Sequence, residues 1–502
     1  MIGTSLGGFG DKRLECVGGS LLAAMQQHRT LCVHRLAKDR NQAIQFGRFL
    51  ANRSVTVHEM LANAGFQTSQ RVAGRHVLAI EDTTELHFPT HAASKRGFGM
   101  GGNGEDLGLF LHPVLAVDAA NAGVIGLADC VVLNRTAGKV TDRRGRSADE
   151  KESRRWLHGA EMAGDRLASA AMVTVVADRE SDIYDLFARR PGQVHLLCRS
   201  AQDRALADGG LLFERCAGWP EQNHTTISVP PRGRHGERQA SVALRFGAVA
   251  LQRPKTPAAR TLPASVPVWV VDVDEIDPPE GQERVHWRLL TTHAVTTVAE
   301  AQQIVAWYRM RWIIEQVFRS LKSHGLRIED SQMEEAHSFT KLAVVALIAA
   351  VRSMQLVLAR DGSTEQTITD AVDPADMPAL RSLNASLQGR TDKLKNPHDA
   401  STLAWLAWIV ARLGGWSGYT SKGYKPPGAQ DHASRPASSR PYPARLAPGR
   451  SFRRCVTPVA PQGEGEGTVP TARGLPCSPR QPTARYAAHC PGTARAPPSP
   501  RR

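Results

Sequence analysis

Three kinds of hydrophobic patterning divide this chain. Short unbroken apolar runs read as buried strands, and stretches with apolar residues every three or four positions read as helices. The run at residues 76–80 (HVLAI) ends in Glu81-Asp82-Thr83-Thr84, and the run at 172–177 (MVTVVA) ends in Asp178-Arg179-Glu180. Residues 109–117 and 124–133 read as paired strands joined by turn residues 118–123, giving a three-stranded meander with the first run. Helical spacing covers 149–171 and a short segment around 182–189, and the strand 193–199 ends in Arg199. Residues 225–229, 240–246 and 266–273 alternate between Pro, Gly and basic clusters such as 232–238, which predicts an antiparallel β segment with a cationic loop. A strand over 287–292, opening on Trp287, leads into a helix over 298–324. Apolar helices follow at 336–361 and 401–413, with a basic, turn-rich segment at 390–396 between them. Residues 1–70 carry helical patterns, among them 21–27 and 43–50. The third kind of patterning begins near Pro426, where apolar periodicity stops.

The stretch 305–326 (VAWYRMRWIIEQVFRSLKSHGL) has no Pro and no Gly before Gly325, so one continuous helix is expected. At about 100° per residue, Tyr308, Arg311, Glu315 and Lys322 share an arc of roughly 60°. Met310, Ile313, Ile314, Val317 and Leu321 occupy an arc from about 140° to 240°, the face suited to a core. A carboxylate is thus flanked by two fixed cations and a phenol. The same pattern also describes a solvated face with an Arg311–Glu315 ion pair.

Composition changes the picture in one respect. Hydrophobic content of 41% and charged content of 22% are those of an ordinary globular protein, but the net charge is +15. That excess suits a polyanionic partner, and nucleic acid fits better than a membrane because no basic segment carries an apolar anchor. The segment from Pro426 onward holds 12 Arg, no Lys and 3 acids, so it supplies +9 of the charge (12 minus 3) and leaves about +6 on the body. Rich in Pro and without periodicity, it is expected to be disordered. The longest apolar run, residues 342–351, is too short to span a bilayer. The N-terminus has no apolar signal core, so a cytoplasmic, nucleoid-associated protein is expected. Eight scattered cysteines form no C-x-x-C pair and no zinc spacing. The segment from Gly97 to Gly102 matches G-x-G-x-x-G but precedes a strand instead of linking strand to helix. It is expected to be a flexible loop rather than a nucleotide site.

The element order β-β-β-α-β-α-β is that of a ribonuclease H-like core within an α/β protein. In open α/β sheets, ligands gather at the carboxyl ends of strands, where Asp82 and Asp178 fall. An Asp there also commonly starts a turn. Two strand-end aspartates with a helix glutamate, Glu315, form a three-carboxylate set. Oxygen-only donors suit Mg2+ or Mn2+ shared with substrate phosphates. Paired carboxylates also serve glycosidases, but the basic charge and the cations beside Glu315 disfavour that class.

The segments Ala79-Ile-Glu-Asp-Thr-Thr84, Ala177-Asp-Arg-Glu-Ser-Asp-Ile183 and Tyr308-x2-Arg311-x3-Glu315-x6-Lys322 resemble the IS4-type DDE transposases. The resemblance runs from about Gly10 to Gly428 and includes KESRRW at 151–156 and WSGYTSKGYKPPG at 416–428. It implies that Asp82, Asp178 and Glu315 are catalytic and hold Mg2+ or Mn2+. By the same likeness, Tyr308, Arg311, Lys322 and Arg199 contact DNA, and Trp287 traps an extruded base. The implied architecture is an N-terminal helical domain (1–70) with a DNA-binding role left open and a catalytic core in two parts (71–199 and 286–335). An antiparallel β insertion (200–285), a C-terminal helical region (336–425) and a Pro/Arg-rich tail (426–502) complete it. The implied activity is cleavage at transposon ends and strand transfer into double-stranded target DNA by a homodimer. An inactive DNA-binding remnant and a nuclease of the same fold are the alternatives. Where the family continues in apolar helical sequence after Gly428, this chain turns to Pro, Arg, Ala and Gly, as a shifted reading frame would produce.

Overall fold

The structure, a computed structural model, describes residues 5–28, 30–88, 92–136, 152–229, 236–323 and 325–417. The Pro/Arg-rich tail, most of the cationic loop and the start of the helix expected at 149–171 lie outside these residues. Four helices open the chain: α1 (Lys12–Gln27), α2 (Val33–Leu36), α3 (Arg40–Ala51) and α4 (Val57–Ser69). Asp11, Asp39 and Thr56 start α1, α3 and α4 by accepting from the backbone N–H groups of Arg13, Gln42 and Glu59.

The strands are β1 (His76–Glu81), β2 (Thr84–His87), β3 (Gly99–Met100), β4 (Leu107–Asp118), β5 (Val124–Leu133), β6 (Met172–Ala177) and β7 (Val194–Arg199). They continue with β8 (Asn223–Val229), β9 (Arg238–Gln252), β10 (Ser265–Glu275) and β11 (His286–Thr291). All join one mixed sheet in the order β2-β4-β1-β6-β7-β11-β10-β9-β8, with β3 and β5 also on β4. Among the strand pairs of the described residues, only β1–β6 and β6–β7 are parallel. They are connected through α5 (Arg154–Arg166) and α6 (Tyr184–Arg189), as parallel neighbours require a crossover. A large mixed sheet covered by helices fits the ribonuclease H-like architecture expected from the element order. Residues 200–285 contribute a short helix, α7 (Leu212–Ala217), and β8–β10, which extend that sheet.

Side-chain alternation divides the sheet into two cores. Leu78, Ile80, Val176, Leu197 and Leu289 face α8 (Val298–Met310), α9 (Trp312–Lys322) and α10 (Ala336–Ala359). Val77, Ala79, Val175, Leu196 and Leu290 face Trp156, Ala160 and Phe187 on α5 and α6. A third cluster ties α11 (Met377–Leu387) to α12 (Leu403–Leu413) through Leu380, Trp405 and Trp408. Helix α10 is the one helix among the described residues long and apolar enough to cross a membrane, but 83% of its apolar window is buried within the protein.

Two expectations are corrected. The helix over 298–324 is not continuous: α8 and α9 meet at Arg311. There Arg311 N–H donates to the Tyr308 carbonyl and Ile314 N–H to the Arg311 carbonyl, three residues back instead of four. The Gly97–Gly102 segment is not a loose loop. The Glu85 carboxylate accepts from Gly102 N–H, and β3 pairs with β4; a Cβ at Gly101 or Gly102 would collide with that carboxylate.

Candidate active site

The sheet register brings the strand ends together. Ile80 lies opposite Val176 in β1–β6, and Val176 opposite Leu197 in β6–β7. Two residues further along each strand stand Asp82, Asp178 and Arg199. Adjacent strands lie about 4.8 Å apart, so these three begin as neighbours in a row. The two-residue step keeps them on the face of Ile80, Val176 and Leu197, beneath α8 and α9. Asp82 also marks an interruption. Glu81 pairs with Val114 and Thr84 with Leu111, so β2 continues β1 along β4 in unchanged register across Asp82 and Thr83.

Each aspartate spends one oxygen on the backbone just after it. Asp82 Oδ1 accepts from Thr83 N–H at 2.8 Å, and Asp178 Oδ1 from Glu180 N–H at 2.8 Å. The turn-forming reading is correct for Asp178, which caps the short turn Arg179–Ser181, whereas Asp82 stands in an extended stretch between β1 and β2; a second oxygen of each remains. Asp82 Oδ2 takes Arg311 Nη1 at 2.9 Å, while Arg311 Nη2 reaches Glu315 Oε1 at 2.6 Å. One guanidinium thus joins the strand-end acid to the helix acid, using the forked geometry that Lys lacks. Burial pushes the Asp82 carboxyl up to about 6; Arg311 opposes this, and the charges of Asp178 and Glu315 add to it. Asp178 and Glu315 therefore both act on Asp82 through space. Among the described residues no three His, Cys, Asp or Glu side chains are gathered closely enough to hold a metal as they stand. Arg311 is the group between Asp82 and Glu315.

The remaining candidates divide. Tyr308 is not on a polar stripe: it is buried, and its ring meets Trp287 edge-on at 5.4 Å. Burial pushes the Tyr308 hydroxyl up to about 12 against the pull of Arg311 and Arg199, so it stays a neutral phenol. Trp287 is half-buried at the start of β11. Arg199 donates to the His286 carbonyl at 3.1 Å, and Lys322 pairs with Glu329 at 3.3 Å. Arg311, Glu315, Asp82, Asp178 and Tyr308 belong to one electrostatic neighbourhood, with Arg199 acting on Tyr308. Lys322 lies two turns beyond Glu315 on α9.

A neighbouring group escaped the sequence reading. Arg155, on α5, donates from Nε to Thr83 Oγ1 at 3.0 Å and from Nη2 to Glu180 Oε2 at 3.0 Å. Behind it, Thr83 Oγ1 lies 2.9 Å from His112 Nδ1, and His112 Nε2 lies 3.4 Å from the fully buried Glu81. The only sequence signal was the KESRRW segment, whose Arg155 lies 72 positions from Thr83 and is brought there by the crossover.

A family model described as the transposase DDE domain matches residues 82–352, more than half of the chain, starting at Asp82 and spanning Asp178 and Glu315. This chain belongs to the transposase DDE-domain family.

Proposed function

We propose that this protein is an IS4-type transposase that cleaves DNA at transposon ends and joins those ends to a target, with Asp82, Asp178 and Glu315 as its metal-binding carboxylates. The observation that carries the reading is the convergence of two adjacent strand ends with α9, where Arg311 bridges Asp82 and Glu315. Members of the family act on DNA and generally use divalent metals such as Mg2+ or Mn2+. The donor set fits: three carboxylates, oxygen only, with one half-buried acid held partly unfavourable by the other two. Asp82, Asp178 and Glu315 would hold the cation, which supplies Lewis-acid activation of a water or 3′-hydroxyl and charge neutralisation at the phosphate.

The chain's own groups do the rest. Arg311 neutralises Asp82 and Glu315 in the absence of other cations and turns to a DNA phosphate when they are otherwise occupied. Arg199 and Lys322 extend that cationic line along the backbone of the DNA. Tyr308, a neutral phenol, donates a hydrogen bond, and Trp287 offers a ring for a displaced base to stack on. Two copies of the chain would act on two ends.

The test uses the full chain, Mg2+, linear DNA carrying the sequences that flank the coding region, and a target plasmid. Cleavage followed by joined products is expected. Cleavage without joining would replace the transposase with a nuclease of the same fold. End binding without cleavage would mark a remnant.

A further inference from the structure

We propose that Arg155 is a positioning residue that clamps the Asp82–Thr83 link to the turn after Asp178 and so sets the spacing of the two strand-end carboxylates. The inference rests on the reading of those carboxylates as metal ligands. Its basis is a symmetry in the hydrogen bonding. Asp82 Oδ1 is held by Thr83 N–H and Asp178 Oδ1 by Glu180 N–H. Arg155 binds the side chains of those same two residues, Thr83 through Nε and Glu180 through Nη2, each at 3.0 Å. One guanidinium therefore ties together the two amides that aim the two acids.

Sheet pairing alone does not provide this. The β1–β6 ladder ends at Ile80–Val176, so both aspartates stand beyond the last paired residues. Arg155 is itself fixed: Nη1 donates to the Glu152 carbonyl at 3.1 Å, and its side chain is 14% exposed. Two further contacts stand behind Thr83. Arg155 Nε–H can only donate, so Thr83 Oγ1 accepts there, and the same hydroxyl lies 2.9 Å from His112 Nδ1. His112 Nε2 in turn lies 3.4 Å from Glu81 Oε2. Thr83 is thus held from both sides, and with it the N–H that aims Asp82. A lysine at 155 would keep the charge but could not reach two acceptors through a planar fork.

The probe is Mn2+ binding to the DNA-free full chain, read from loss of the free-ion paramagnetic resonance signal. Partners behind the ligands of a metal site typically contribute tenfold or more in affinity. Arg155→Lys and Thr83→Val are each expected to weaken Mn2+ binding by about tenfold or more, and Thr83→Ser to restore it to within about threefold. Thr83→Val matches Thr in shape and leaves the Arg155 charge in place, so it stands as a test if Arg155→Lys folds poorly. Wild-type affinity in Arg155→Lys would mean that charge alone matters, and wild-type affinity in Thr83→Val that the link is idle; either overturns the clamp. If Asp82→Asn abolishes binding while the Arg155 and Thr83 variants bind normally, the carboxylate reading stands and only the clamp fails. If the wild-type chain binds no Mn2+, the carboxylate reading fails and the clamp with it.

Discussion

Along one face of β1, β6 and β7, two polar layers sandwich an apolar one. At the carboxyl end stand Asp82, Asp178 and Arg199; the middle layer is Ile80, Val176 and Leu197; below it Leu78, Thr174 and His195 are in register. In the lower layer, Thr174 Oγ1 lies 2.8 Å from the Nε2 atoms of both His76 and His293, and His195 stacks on His293 at 3.9 Å. Burial drives His76 down to about 4 and His293 to about 3, so this end is polar but uncharged. The upper end is charged, with Arg311 between Asp82 and Glu315 and with Asp178 and Glu315 both acting on Asp82. The same strands therefore end in two different devices: a neutral cluster whose hydrogen bonds are paired, and a set of carboxylates that a further cation would relieve. The lower layer suits stability, and the upper one chemistry.

The sharpest way to break that contrast is to remove a carboxylate. Asp82→Ala or Glu315→Ala is expected to lower DNA cleavage by about 10³-fold or more, roughly 4 kcal/mol of barrier, while end binding changes little. Comparable loss of binding in a mobility-shift assay would show that these acids hold the fold or the DNA instead. Arg311→Ala tests the counter-charge. Asp82 and Glu315 are left unneutralised, so Mg2+ should raise the melting temperature of the variant by a few degrees more than that of the wild type, by linkage. An equal Mg2+ shift in both proteins would separate Arg311 from the cation site.

At the lower layer the expected effects fall on stability. Thr174→Val keeps the shape of the side chain but strips both histidine nitrogens of their partner. A loss of about 2–4 kcal/mol is expected in denaturant unfolding, with cleavage per folded molecule unchanged. Reduced cleavage at full folding would mean that the apolar layer transmits strain to the acids, and the division between the two ends would not hold.

How much of this was legible in sequence depends on distance along the chain. The acid-bearing strands announced themselves because an unbroken apolar run followed by polar residues has few other meanings. The order of strands and helices followed from the same periodicity. The register that aligns Asp82 with Asp178 did not, since parallel pairing is set by tertiary contacts 96 positions apart in sequence. The break at Arg311 had no Pro or Gly to signal it, and the helical wheel consequently set Tyr308 on the polar stripe when it packs on Trp287. β2 (TELH) is too short and polar to stand out, and α11 hides behind Pro378 in its first turn. Arg155 was marked only by the KESRRW segment, and the His76–Thr174–His293 cluster by nothing, because the partners that matter come from other elements.

The smallest predicted effect concerns acid stability, and its sign follows from the direction of the histidine shifts. Burial lowers His76, His195 and His293 below the usual value of 6.5. The unfolded chain therefore binds protons before the folded one does. Stability contributed by the neutral cluster is fully present above about pH 6.5 and is lost as pH falls toward 4. Asp118, which is itself paired with Arg75, favours protonation of His76, whereas Arg190 opposes it at His195 and His293. Half-exposure reduces the effect further, so a loss on the order of 1 kcal/mol between pH 7 and 5.5 is expected. Denaturant unfolding at the two pH values measures it, and Thr174→Val supplies the control: with the cluster already broken, its pH slope should be shallower than that of the wild type. Equal slopes would place the acid sensitivity elsewhere, and the lower layer would then be no more than filler beneath the site.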